Sequence, residues 1–397
     1  MRIIWFVSSL EQKGGGERFV LESVNELRAQ GREVELVCDR LSSVASFNGK
    51  YELSKIICLG NNCDQKSAYI SKAFNKFLGT IKLGCVIFSY QPDLIICQSD
   101  YDSIKIYLLS KIFRFKYRSF VFGQMYQFTS DISRYSLVFR KHLNKIIDSC
   151  PGYRMTVQMP PPTLKISVQI INEIVSWLKY RSIRNADRVF TLSSRVRWEV
   201  ETLYGVDALV CRAAFSKSYI NADRIINPRP ISGPLRLLSV CRLVEKKRVD
   251  IIIKSLSLIN IQARLRIIGV GPEENNLKKL AAKSSRFKDI QFLGAVDDDI
   301  LRAELDAADC FISMDVGDFD ISVVEAMGKG LRIIVANDFD FTDFGSAISG
   351  VFSVEVEPEY LANAINQIPQ SEPPGVGNIR VLEGLTWEAL AKLTISS

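Results

Sequence analysis

Three groups of residues in this chain have types and spacings that can do chemistry. Ser239-Val240-Cys241-Arg242-Leu243-Val244-Glu245-Lys246-Lys247-Arg248-Val249-Asp250 sets four bases just after an apolar run. Fixed cations at the end of a strand stabilise negative charge that builds as a bond breaks. Four clustered bases also occur as a plain surface run, but the spacing after a strand favours a site. Gly14-Gly15-Gly16-Glu17 follows the first apolar run and opens a helical pattern. Glycines there let a phosphate approach backbone N–H groups at a helix N-terminus, where the dipole favours an anion. A tight strand-to-helix turn uses the same residues, and this is not G-x-G-x-x-G. The third group is Asp315, Asp318 and Asp320, just before Ser322. Three aspartates so close suggest a metal, yet no His or Cys stands at ligand spacing, so no metal site is expected.

The elements that must position these groups follow from the pattern. Apolar runs alternate with helical periodicity throughout, the signature of βα units and parallel sheets. In the first half, strands are expected at 3–8, 34–38, 94–97, 119–122 and 188–192. Helices are expected at 17–29, 66–77, 103–112, 166–180 and 194–203. In the second half, strands at 235–240, 265–268, 290–293, 310–313 and 332–335 alternate with helices near 248–259, 273–284, 298–307 and 322–329. Residues 221–234 hold three prolines and read as a linker. Thr386-Trp387-Glu388 opens a last short helix. This gives an N-terminal domain over 1–220, a linker over 221–234, a second domain over 235–375, and a tail with a helix over 376–397.

Composition narrows the function classes. At 397 residues and 47% apolar content the chain suits two cores. Nine cysteines, scattered and with no C-x-x-C, fit a reducing compartment. The start, Met1 to Ser8, reads as a first strand and not a signal peptide. No apolar stretch reaches the roughly 18 residues of a membrane span. The expected location is cytoplasmic, with room for a peripheral place on the inner membrane face. Residues 1–230 carry 33 Lys and Arg against 20 Asp and Glu, a net +13; the remainder carries 18 against 24, a net −6. Only the first half is therefore suited to an anionic surface. Its Lys111-Ile112-Phe113-Arg114-Phe115-Lys116-Tyr117-Arg118 segment interleaves bases with aromatics, as lipid headgroups or single strands would require; a solvated helix end and strand edge reads as well. Nucleic acid is not an expected partner, because the bases form no recognised motif and the second half is acidic.

Asp318-Phe319-Asp320-Ile321-Ser322-Val323-Val324-Glu325-Ala326-Met327-Gly328-Lys329-Gly330 resembles the donor-binding segment of the retaining family 4 glycosyltransferases. The 239–250 run is similar to that family's G-R-L-x-x-x-K-x-x-D segment, with Cys241 in place of the glycine. Leu265-Arg266-Ile267-Ile268-Gly269-Val270-Gly271 looks like its turn beside the nucleotide. The resemblance implies a GT-B α/β fold: two Rossmann-like domains facing across a cleft, with the C-terminal helix crossing back to the first. It implies Arg242 and Lys247 as the cations on the leaving diphosphate. Gly15, Gly16, Gly269, Asp320, Ile321, Ser322 and Glu325 would then hold the donor, with Glu325 on the ribose and the helix start at Ser322 on a β-phosphate. No cofactor is implied: the nucleotide-diphosphate sugar is a substrate and no metal is required.

Two departures stand out. The family's Glu-x7-Glu pair has Gly317 at its first position, so Asp315, Asp318 or Asp320 would have to reach the sugar, and Asp318 is the expected catalytic substitute. Where many relatives place a histidine, the chain reads Phe122-Gly123-Gln124-Met125, and Gln124 can hydrogen-bond a sugar hydroxyl. The only histidine, His142, reads as an exposed helical residue. The resemblance implies a retaining transferase that moves a sugar from a nucleotide-diphosphate sugar to a glycan or lipid-linked acceptor. The setting would be cell-surface polysaccharide or glycolipid assembly, with peripheral contact between the basic domain and an anionic membrane. A catalytically impaired GT-B protein that binds nucleotide or glycan and supports an active partner is the alternative. A sugar-nucleotide epimerase ranks below both, since it needs acid–base side chains in the cleft.

Overall fold

A computed structural model describes the chain except for residues 13, 48, 61–68, 123–135, 140–141, 143–145, 147–165, 316–318, 338–346 and 397, and gives the backbone alone for 69–77. The chain divides into two compact units, Met1–Arg212 with Leu390–Ser397, and Ala213–Ala389.

The first unit contains β1 (Arg2–Leu10), α1 (Gly15–Ala29), β2 (Glu33–Leu41), β3 (Ile56–Cys58), α2 (Tyr69–Tyr90), β4 (Leu94–Cys97) and α3 (Asp100–Ser110). Then come β5 (Lys116–Val121), α4 (Ile166–Arg184), β6 (Arg188–Thr191), α5 (Ser194–Tyr204) and β7 (Ala208–Val210). Its sheet runs β3-β2-β1-β4-β5-β6-β7, and every described pairing is parallel. Strands covered on both faces must be apolar along their length. Ile3, Ile4, Trp5 and Phe6 are accordingly all fully buried. Helix α2 runs well past the expected end at Phe77. Its two internal glycines have packing reasons: a Cβ on Gly79 would lie 3.2 Å from Asp39, and one on Gly84 would touch Leu109 and Phe113.

The second unit contains α6 (Ala222–Ile226), β8 (Leu235–Val240), α7 (Val249–Leu256), β9 (Ala263–Ile268), α8 (Glu274–Ala282), β10 (Ile290–Gly294) and α9 (Asp298–Ala307). Next are β11 (Cys310–Ser313), α10 (Ile321–Gly328), β12 (Arg332–Ala336), β13 (Val351–Val354), α11 (Pro358–Gln367) and α12 (Val376–Glu383). Its sheet order is β10-β9-β8-β11-β12-β13, again parallel at each described pairing. The inward faces of β8, β9 and β11 pack with α7, α8 and α11 into one core that includes Leu237, Ile252, Leu265, Ile312 and Leu361. Strand order reverses between β8 and β11, and open α/β sheets bind ligands outside the carboxyl ends of strands at such a point. The basic run follows β8 and Asp315 follows β11, so the sequence delivers both to that position.

Residues 221–234, expected as a linker, lie within the second unit. The Asn221 side chain accepts from the Arg224 backbone N–H and caps α6. The Arg224 guanidinium donates to the Asp306 carbonyl at the C-terminal end of α9, and Arg229 pairs with Asp309 at 3.0 Å. Cations on orphan C-terminal carbonyls secure a helix end, which explains why a proline-rich stretch is fixed here. The last helix, α13 (Trp387–Ile395), starts where Thr386 Oγ1 accepts from Ala389 N–H. Its Leu390–Ser397 portion counts with the first unit, where the Arg118 guanidinium donates to the Thr394 carbonyl at 2.6 Å. Among the described residues no helix is long and apolar enough to cross a membrane.

Candidate functional site

The site in the second unit is built from three strand-to-helix connections. After β8 the backbone of Cys241 and Leu243 is held against the glycine turn that follows β9. Cys241 N–H donates to the Ile268 carbonyl, Leu243 N–H to the Val270 carbonyl, and Glu273 N–H to the Leu243 carbonyl. The approach is too close for side chains. A Cβ on Gly269, which has φ +134°, would sit 1.8 Å from the Cys241 carbonyl oxygen, and one on Gly271 would sit 2.2 Å from that of Leu243. These glycines therefore fix the loop that carries the bases.

Glu245–Lys247 then forms a single 3-10 turn that ends on Arg248 in the left-handed region, at φ 49° and ψ 37°. That conformation is costly for a residue with a Cβ and marks sites where surrounding structure imposes it. It breaks the turn from α7 and leaves Lys247 directed at the end of β11.

There the Lys247 ammonium forms a hydrogen-bonded ion pair with Asp315 Oδ2 and lies 3.8 Å from Asp320 Oδ2. Burial works to lower the Lys247 pKa, but the carboxylates of Asp320 and Asp315 outweigh it and hold the ammonium above its ordinary range. Burial pushes Asp315 upward; Lys247 opposes the shift and Asp320 adds to it. Asp315 is 5% exposed, and its Oδ1 is buried without a hydrogen-bond partner among the described residues.

Asp320 is differently supported. Its Oδ1 accepts from Ser322 N–H at 3.0 Å and its Oδ2 accepts from Ser313 Oγ at 3.1 Å. It is the N-cap of α10, so the helix begins at Ile321, one residue before the expected start. The far end of α10 stops as anticipated. Gly330 has φ +73°, its N–H reaches the Met327 carbonyl, and Leu331 N–H reaches that of Ala326, the Schellman arrangement.

The structure thus brings Lys247, Asp315, Asp320 and Ser322 together. Arg242 is exposed on the loop of the same basic run, and Ile321 and Glu325 are buried in α10, Glu325 at 3% exposure. The Ser322 N–H expected to meet a phosphate is taken by the Asp320 carboxylate. Gly15 and Gly16 form the first turn of α1 in the first unit, after Gly14 as N-cap, and a Cβ on Gly16 would meet open space. Gln124, Gly317 and Asp318 lie outside the described residues. His142 is exposed. Sequence reading gave Ser313 and Arg248 no part; only the serine at a strand end and a non-glycine before a helix hint at them.

Two parallel-sheet Rossmann-like units in one chain define a GT-B type of α/β protein. Solved structures agree over the whole length. A sucrose-phosphate synthase from Thermosynechococcus elongatus matches with TM-score 0.71 and 15% identity over 99% of this chain and 97% of that one. HepE of Anabaena in complex with UDP-glucose gives 0.69 and 14%, over 99% and 98%. The lipopolysaccharide outer core galactosyltransferase WaaB gives 0.67 and 14%, over 99% and 97%. Within the second unit, residues 222–374 match the family described as Glycosyl transferases group 1. The amylovoran biosynthesis glycosyltransferase AmsK of Erwinia amylovora is 28% identical over 150 residues, 35% of this chain and 37% of that protein. WcaL of Escherichia coli (strain K12), whose name assigns it to colanic acid biosynthesis, is 29% identical over 136 residues, 31% and 33% respectively. The chain spans about a third of the length of these curated relatives.

Proposed function

We propose that the protein is a retaining glycosyltransferase. It moves a sugar from a nucleotide-diphosphate sugar to a glycan or lipid-linked acceptor in cell-surface polysaccharide or glycolipid assembly. The observation that carries this reading is the Lys247 ammonium, fixed at the β8/β11 switch point beside the N-terminus of α10, inside the segment that matches the group 1 family. As the bond between sugar and diphosphate breaks, negative charge grows on the leaving phosphate. Lys247, with Arg242 on the same loop, meets it with fixed positive charge and no reorganisation of solvent. On this reading the donor binds the second unit and the acceptor the basic first one, with peripheral contact at an anionic membrane. The reading calls for no metal, since the two cations supply the electrophilic charge.

A second reading, a binding protein without turnover, draws support from one observation: Asp320 sets a carboxylate on the Ser322 N–H that a phosphate would use. One experiment separates the two. Purified protein is incubated with UDP-, GDP- and ADP-sugars, and thermal stabilisation and slow donor hydrolysis are read together. The transferase reading expects stabilisation by one nucleotide class with hydrolysis of that donor. Stabilisation without hydrolysis, or without transfer once membrane extract supplies acceptors, selects the binding protein. No stabilisation by any donor contradicts both.

A further inference from the structure

Lys247 faces two carboxylates that depend on it to very different degrees. Both oxygens of Asp320 have other donors, Ser322 N–H at 3.0 Å and Ser313 Oγ at 3.1 Å, and the nearer contact of Lys247 is not with Asp320. Asp315 has Lys247 on Oδ2, and nothing among the described residues donates to its buried Oδ1. The remaining groups that act on Asp315 do not replace that partner. Lys246 is exposed, and the Cys241 thiol is pushed up to about 12 by burial, hence neutral near pH 7. Asp320 contributes a second negative charge, which raises the cost of ionising Asp315.

A diphosphate that takes the Lys247 ammonium removes the only cation bonded to Asp315 among the described residues. A carboxylate that is 5% exposed and stripped of its counter-ion is strongly disfavoured, and the inexpensive remedy is to protonate it. We propose that Asp315 takes up a proton from solvent when Lys247 transfers to the diphosphate, so that nucleotide-sugar binding is coupled to proton uptake at this cluster. The balance is one proton from water to an Asp315 oxygen, while Lys247 stays an ammonium and exchanges one anionic partner for another. The inference rests on the donor site proposed above and adds to it a positioning residue, Asp315, that releases Lys247 in proportion to its own protonation.

The sign follows from linkage. Binding raises the pKa of Asp315, so affinity falls as pH rises between the free and bound values, by up to tenfold per pH unit, and is independent of pH outside that window. The test is calorimetric titration of the whole chain with UDP-glucose, GDP-mannose and ADP-glucose in two buffers of unlike ionisation enthalpy. These diesters carry no phosphate group that titrates near neutrality. Expected is a net uptake approaching one proton per nucleotide sugar bound. Asp315→Asn, the neutral shape of the protonated acid, should abolish the uptake and bind as tightly at pH 8 as wild type does at the acid end of the window. Asp320→Asn should retain the uptake. Binding by wild type with equal heats in both buffers overturns the proposal without any variant, as does an undiminished uptake in Asp315→Asn. Absence of binding for all three sugars overturns the nucleotide reading itself, and the inference with it.

Discussion

Both units set lysines against aspartates at or near the carboxyl ends of parallel strands, and they do so with different stoichiometry. In the first unit two lysines each pair with a different aspartate. Lys179, 1% exposed, pairs with Asp100 at 2.8 Å; Tyr204 donates to the same carboxylate, and the Tyr101 ring lies 4.0 Å from the ammonium. Lys105 pairs with Asp39 and lies over Phe6. In the second unit one ammonium, Lys247, serves two acids, and one of those acids has no other donor among the described residues. A one-to-one pair holds elements together, even where, as at Asp39 Oδ1, a carboxylate oxygen is buried without a hydrogen-bond partner among the described residues. An excess of acid around one cation leaves a charge ready to be exchanged for an incoming anion. A third arrangement reverses the ratio: Asp309, nearly fully buried, accepts from Arg236 through two contacts at 2.7 and 2.9 Å, and from Arg229 at 3.0 Å.

The comparison breaks first at its two lysines. Lys247→Met should weaken nucleotide-sugar binding about 30-fold or more, the usual consequence of truncating one member of a desolvated charge pair at a ligand site. Equilibrium titration checks this; an unchanged affinity would make the 2:1 cluster structural. Lys179→Met should instead destabilise the fold by about 3 kcal/mol, because the largely covered Asp100 loses its paired ammonium. Urea unfolding should show that loss, while the folded protein binds nucleotide as before.

A smaller effect sharpens the contrast with Asp309. Burial alone would raise its pKa, but Arg236 and Arg229 prevail and hold it below the ordinary carboxylate range. A depressed folded value contributes stability that is complete above the unfolded pKa of about 4 and is lost as pH falls through the folded value. Asp309→Asn should cost about 2 kcal/mol at pH 7 and flatten the acid limb of stability against pH, where wild type declines. Smallest is Arg248→Gly, which removes a side chain from a left-handed position and should relieve about 1 kcal/mol of strain. If the strain serves to aim Lys247, the more stable variant should bind nucleotide sugar less well.

The alternation of elements was legible because strands buried on both faces must be apolar and the helices between them must be amphipathic. What escaped were strands of three or four residues, Ile56–Cys58, Ala208–Val210 and Val351–Val354, each at a sheet edge where burial pressure is lowest. The continuation of α2 past Phe77 also escaped; within it the absent side chains of Gly79 and Gly84 make room for Asp39 and for Leu109 and Phe113. At the site, the bases were legible from their spacing after a strand. The division of labour among the aspartates was not, since Asp315 and Asp320 differ only in which hydrogen bonds the fold gives them. Asp320 two residues before Ser322 was in principle recognisable as an N-cap, the position Asp favours at helix starts. Gln124 and Asp318 fall outside the described residues, so their roles stay proposals.

The most direct test of the central claim compares a nucleoside with its diphosphate, uridine against UDP or guanosine against GDP according to the donor panel, in wild type and in Lys247→Met. If Lys247 is the diphosphate cation, wild type should prefer the diphosphate by a wide margin and the variant should lose most of that preference while binding the nucleoside equally well. A variant that keeps the full preference would contradict the account and move the anion site away from the β8/β11 switch point.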